Sequence, residues 1–66
     1  MSDFKSRLLE ERDQLQEKVT KLDDFIDSDA YTTIAERQQE LLLDQIYFMA
    51  EYLSILKERI EDLDKN

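Results

Sequence analysis

Neither glycine nor proline occurs anywhere in these 66 residues. Their absence removes the φ > 0 turns on which small β folds depend, the Gly loops that cradle phosphates, and the strongest helix breakers. What remains is a chain suited to long helices joined by short polar segments. The composition agrees: 41% hydrophobic and 39% charged residues is a mixture typical of long amphipathic helices. Cys and His are also missing, which excludes disulfides and the common zinc sites. Length allows one domain, residues 1–66, and at this size a lone core is marginal without a staple or a partner.

Hydrophobic spacing predicts an all-α fold. Phe4, Leu8, Leu15, Val19, Leu22 and Ile26 form a helical stripe with one gap, at Glu11 or Arg12. Ser2 or Asp3 suits the N-cap, so the first helix is expected over about residues 3–27. The segment from Asp27 to Thr33 is rich in short polar side chains that bond locally to the backbone. Thr33-Ile34-Ala35-Glu36 matches a capping box, which predicts a second helix over about 34–63.

Along that second helix, Leu42, Ile46, Met49, Leu53, Leu56, Ile60 and Leu63 recur at 4, 3, 4, 3, 4 and 3, an unbroken heptad seam. A second stripe, Ile34, Leu41, Phe48, Tyr52 and Ile55, lies beside it, and Leu43, Tyr47 and Ala50 widen the apolar surface further. A helix apolar around most of its circumference must be buried on more than one side. Folding about Ala30 into an antiparallel two-helix hairpin would set Phe4 near Leu56, Leu8 near Tyr52 and Ile26 near Ile34, with Ile60 and Leu63 beyond the end of the first helix. The expectation is therefore a homo-oligomeric helical bundle, with the seam from Leu42 to Leu63 as the interface between copies.

Charge limits the partners. A net charge of −8 opposes generic binding to DNA or RNA. The 41–56 stretch is interrupted by Asp44, Gln45, Glu51 and Ser54 and is too short to span a bilayer. The first five residues lack the apolar core of a secretory signal, and there is no lipidation motif; a cytoplasmic protein without a membrane partner is expected. Asp23, Asp24, Asp27 and Asp29 gather at the end of the first helix. Calcium loops need Gly and fixed ligand spacing, so the simpler reading pairs these acids with the start of the second helix and Arg37. Acids on the first helix alternate with Arg7, Arg12, Lys18 and Lys21, which weakens a DNA-mimic reading.

No catalytic constellation, metal set or cofactor motif emerges, so the expectation is a non-enzyme. Candidate ligand contacts are Tyr31, Tyr47 and Tyr52 for stacking on a base, with Arg12, Arg37 and Arg59 meeting phosphates. Arg12 leads this set because it interrupts an apolar seam.

The run Gln39, Leu41, Leu42, Gln45, Met49, Tyr52, Leu56, Arg59 and Ile60 resembles a family of small helical-hairpin proteins of tailed bacteriophages, including crAss-like phages. Phe4, Leu8, Leu15, Leu22 and Phe25 fit as well, so the resemblance covers nearly the whole chain. That family carries no established chemistry and transfers no catalytic residue. The resemblance implies a small accessory phage protein in the bacterial host cytoplasm, a class that often encodes counter-defence factors. Its general design is similar to phage sponges that trap cyclic-nucleotide signals between subunits, although their tyrosine and lysine/threonine pocket motif is not evident here. The leading expectation is an immune-evasion protein that sequesters a cyclic nucleotide or ADP-ribose-type signal between copies of itself. The alternative is a helical adaptor or inhibitor that binds a host defence protein or a phage protein through the second helix or its acidic surface.

Overall fold

The computed structural model describes residues 3–65 as two antiparallel helices and a short connection, a rod of 47 × 19 × 14 Å. Helix α1 spans Phe4–Ile26 and helix α2 spans Glu36–Asp64, with one 3₁₀ turn, Asp29–Thr33, between them. The all-α hairpin expected from periodicity is what forms. Among the described residues no helix is long and apolar enough to cross a membrane.

Asp3 caps α1: its carboxylate accepts the Ser6 N–H at 2.7 Å. That backbone bond, reinforced by the Ser6 hydroxyl, holds the Asp3 carboxyl below its usual range. The other expected cap, Ser2, lies outside the described residues. At the far end the polar side chains fold back on the backbone, as their chemistry suggested. Ser28 Oγ donates to the Phe25 carbonyl at 2.6 Å, Thr32 Oγ1 to Asp29 at 2.7 Å and Thr33 Oγ1 to Ala30 at 2.6 Å.

The last of these bonds displaces the expected capping box. Thr33 serves the 3₁₀ turn behind it, so α2 starts two residues later than expected, with Ala35 as N-cap and no side-chain bond to the free N–H groups. The connection is tied to α2 from the other side. Tyr31 donates its hydroxyl to the Gln39 carbonyl at 3.1 Å, and Gln39 Nε2 donates to the Ile34 carbonyl at 3.0 Å.

These residues in the turn also move the register. Phe4 meets Arg59 and Lys5 pairs with Asp64, so the hairpin is centred near Thr33 and Ile34 rather than at Ala30. Ile60 and Leu63, expected to overhang α1, instead pack against it: Ile60 is buried and Leu63 lies on the edge of the core. The core is Leu8 and Leu15 from α1 with Leu53, Leu56 and Ile60 from α2, flanked by Leu9, Val19, Met49 and Leu63. Leu56, at 0% exposure, is its centre.

The register settles which stripe of α2 faces which neighbour. Leu53, Leu56 and Ile60 are buried inside one chain, and Leu42, Ile46, Met49 and Leu63 are half-buried. The seam expected to join copies is thus occupied by α1. The second stripe stays in water, with Leu41, Phe48, Tyr52 and Ile55 exposed, as are Leu43, Tyr47 and Phe4. A single narrow helix cannot cover an apolar arc wider than its own diameter.

Candidate functional site

The shift in register opens a groove between the helices near the turn. On α1, Lys18, Lys21, Leu22 and Phe25 fall on one face through i, i+3, i+4 and i+7 spacing. On α2, Gln45 and Met49 are one turn apart, and the Gln45 amide donates to the Met49 sulfur at 3.8 Å. These six residues line a groove of about 360 Å³, open along one side. Its volume falls within the range of small-molecule sites, roughly 300–1,000 Å³.

The lining is chemically selective. Although the chain has 17 acidic residues, none of the six lining residues is acidic and two are lysines. Lys21 is held by Glu17 at 3.1 Å, but both side chains are largely exposed, and such pairs are weak enough for an arriving anion to replace. Among the described residues Lys18 has no ion-pair partner. Phe25 forms an apolar wall, and Tyr31 backs it edge-on at 6.3 Å between ring centres and 84° between planes. Two ammonium groups, a ring held from behind, a thioether and an amide suit a flat, anionic small molecule.

The six ligand contacts expected from sequence lie elsewhere or at its margin. Tyr31 stands behind Phe25 and is the member nearest the groove. Arg12 is turned onto Asp13, with nitrogens at 2.9 and 3.1 Å from one carboxylate oxygen. Arg37 pairs with Glu40 at 3.1 Å, not with the acids of the turn. Arg59 lies over the Phe4 ring at 5.6 Å. Tyr47 stands edge-on against Phe48 at 5.2 Å, and Tyr52 is exposed one turn along. One chain does not gather these side chains into a single site. Asp23, Asp24, Asp27 and Asp29 are all exposed, and among the described residues no group of three or more acids is arranged to hold a metal ion.

Lys18, Lys21 and Phe25 were missed because each reads on its own as an ordinary surface or stripe residue. The signal was available as a Lys-x-x-Lys-x-x-x-Phe spacing on one helical face, but its meaning depends on which residues of α2 stand opposite.

Comparison with known proteins covers nearly the whole hairpin. The Sequestin family model matches residues 2–62, both helices and the turn. The chain belongs to the Sequestin family. A relative described as an uncharacterized 7.5 kDa protein in the denB–rIIB intergenic region of Enterobacteria phage T4 is 39% identical over 57 residues, covering 86% of this chain and 89% of the relative. No solved structure matches this chain significantly. The phage origin implied by the α2 motif thus agrees with the family and with this relative.

Proposed function

We propose that this Sequestin-family hairpin is a non-enzymatic binding protein that sequesters a phosphate-bearing nucleotide signal, of the cyclic-nucleotide or ADP-ribose type, between copies of itself. The single observation that carries this reading is the groove: an acid-free, dilysine cleft with a braced phenyl wall on a chain of net charge −8. Bulk charge repels such a ligand, so a local cluster of cations has to overcome it. The family name, Sequestin, fits a protein that withdraws a molecule rather than transforms it. Phosphates would lie on Lys18 and Lys21 and the base on Phe25, with the Gln45 amide available to the base edge. In the cytoplasm of an infected bacterium, binding would lower the free signal by mass action below the level that activates a host effector.

The test is titration calorimetry of the protein against cyclic mononucleotides, cyclic dinucleotides and ADP-ribose. Losing one charged hydrogen bond to phosphate costs about 1.5–3 kcal/mol, or roughly ten- to a hundred-fold in affinity. Lys18→Ala and Lys21→Ala should each weaken binding by that factor, whereas Arg37→Ala should not. If the parent protein gives no heat with any of these ligands at micromolar concentration, the reading is wrong, and a host protein becomes the partner to seek.

A further inference from the structure

Of the six side chains that line the groove, only Gln45 both donates and accepts strong hydrogen bonds. Its neighbour orients it. Gln45 Nε2 donates to the Met49 sulfur at 3.8 Å. A thioether accepts and never donates, so the sulfur selects the nitrogen end of the amide. One N–H is used there, and among the described residues Gln45 Oε1 accepts no hydrogen bond. The amide therefore offers the groove one acceptor beside one donor. Met49 is half-buried and Gln45 is exposed, so a packed side chain steadies an accessible amide.

We propose that Gln45 makes the groove selective for adenine, so that the sequestered signal carries an adenine base with its N7 edge on this amide. The inference rests on the proposed function for the ligand being a nucleotide, and adds which base that nucleotide bears. Adenine presents an acceptor, N7, beside a donor, its 6-amino group, and a glutamine amide meets both at once. Guanine presents two acceptors on the same edge, N7 and O6, which leaves Oε1 facing a carbonyl. Position selects that edge. The hairpin is centred near Thr33 and Ile34, which sets Gln45 about level with Leu22, between Phe25 toward the turn and Lys18 toward the open end. In an anti nucleotide the N7 edge lies on the side of the 5′-phosphate. With the base on Phe25 and phosphate on the two lysines, an amide between them meets N7 rather than the Watson–Crick edge. A lysine turned onto a base reads guanine, but phosphate claims Lys18 and Lys21 because a hydrogen bond between two full charges is the stronger one.

The experiment is titration calorimetry of the full chain against matched pairs that differ only in the base: cyclic AMP with cyclic GMP, cyclic di-AMP with cyclic di-GMP, and ADP-ribose with GDP-ribose. The readout is the affinity ratio within a pair, which cancels any change of charge felt equally by both members. A bidentate base contact discriminates by about 5- to 150-fold, so the parent should favour adenine at least about five-fold. Gln45→Leu should bring that ratio to about one, and Gln45→Arg, which donates twice, should turn the preference to guanine. Both variants replace an exposed side chain with a good helix former, and circular dichroism confirms folding. Lys21→Ala should weaken both members of a pair and leave their ratio unchanged. The 7-deaza analogue of the adenine ligand should bind several-fold more weakly to the parent and lose little with Gln45→Leu. A ratio near one, a guanine preference in the parent, or an adenine preference that persists in Gln45→Leu overturns this inference and leaves the nucleotide reading standing. A 7-deaza loss undiminished in Gln45→Leu assigns N7 to another side chain and overturns it as well. Absence of binding by every one of these ligands overturns the proposed function, and this inference with it.

Discussion

Leu56→Ala is the perturbation that most directly tests the observed register. Leu56 is wholly inaccessible and sits against Leu8, Leu15, Leu53 and Ile60 in a core of only five buried side chains. Truncating a buried Leu to Ala costs about 2–5 kcal/mol, and the cost rises with the volume that stays empty. In a two-helix rod the helices can move together and partly refill the space, so the lower half of that range, about 2–3 kcal/mol, is expected. A chain of this length has on the order of 3–10 kcal/mol of total stability, so the variant loses a large share of it. The assay is urea unfolding followed by circular dichroism. Parent and variant are held at one protein concentration, because self-association would add concentration-dependent stability. Leu43→Ala, at 49% exposure in the parent, is the matched control and should cost less than about 1 kcal/mol. Equal losses at the two positions, or a loss below about 1 kcal/mol at Leu56, would refute the assignment of the heptad seam to the interior of one chain.

Three further outcomes follow from the helix ends and the turn. Ala35→Ser places a hydroxyl at an N-cap that has no side-chain acceptor and should stabilise the hairpin by about 0.5–2 kcal/mol in the same unfolding assay; no gain would mean that α2 does not begin at this residue. Tyr31→Phe removes the bond to the Gln39 carbonyl and should cost about 0.5–1.5 kcal/mol in that assay; an unchanged midpoint would mean that this bond does not tie the turn to α2. The Asp3 carboxyl, lowered by the Ser6 N–H from its ordinary value of 3.8, contributes stability that is fully present above pH 3.8 and lost as pH falls through its lower folded-state value. Asp3→Asn keeps a capping oxygen but no titration there, so stability should decline less steeply below pH 3.8 than in the parent; identical slopes would exclude this linkage.

The sequence alone determined the helices, and it did so for local reasons. The absence of Gly and Pro, the stripe from Phe4 to Ile26 and the two stripes of the second helix are properties of consecutive residues, and helical periodicity is read within a few turns. The back-bonding of Ser28, Thr32 and Thr33 was equally local. Even so, the expected cap failed: the Thr33 hydroxyl could accept from the Glu36 N–H ahead of it or donate to a carbonyl behind it, and it donates to the Ala30 carbonyl of the 3₁₀ turn.

Tertiary structure decided what the stripes do. Two apolar stripes run along α2, one unbroken at heptad spacing from Leu42 to Leu63 and one through Leu41, Phe48, Tyr52 and Ile55, and spacing alone does not say what each of them meets. The choice belongs to the turn, whose residues from Ser28 to Ala35 move the hairpin's centre and bring α1 onto Leu53, Leu56 and Ile60. That same displacement leaves Leu41, Phe48, Tyr52 and Ile55 in water and sets Lys18, Lys21 and Phe25 opposite Gln45 and Met49. Spacing along one helix says which side chains share a face, but only the register between helices says what that face meets. The groove is therefore a property of the pairing, and none of its lysines stands out in either helix alone.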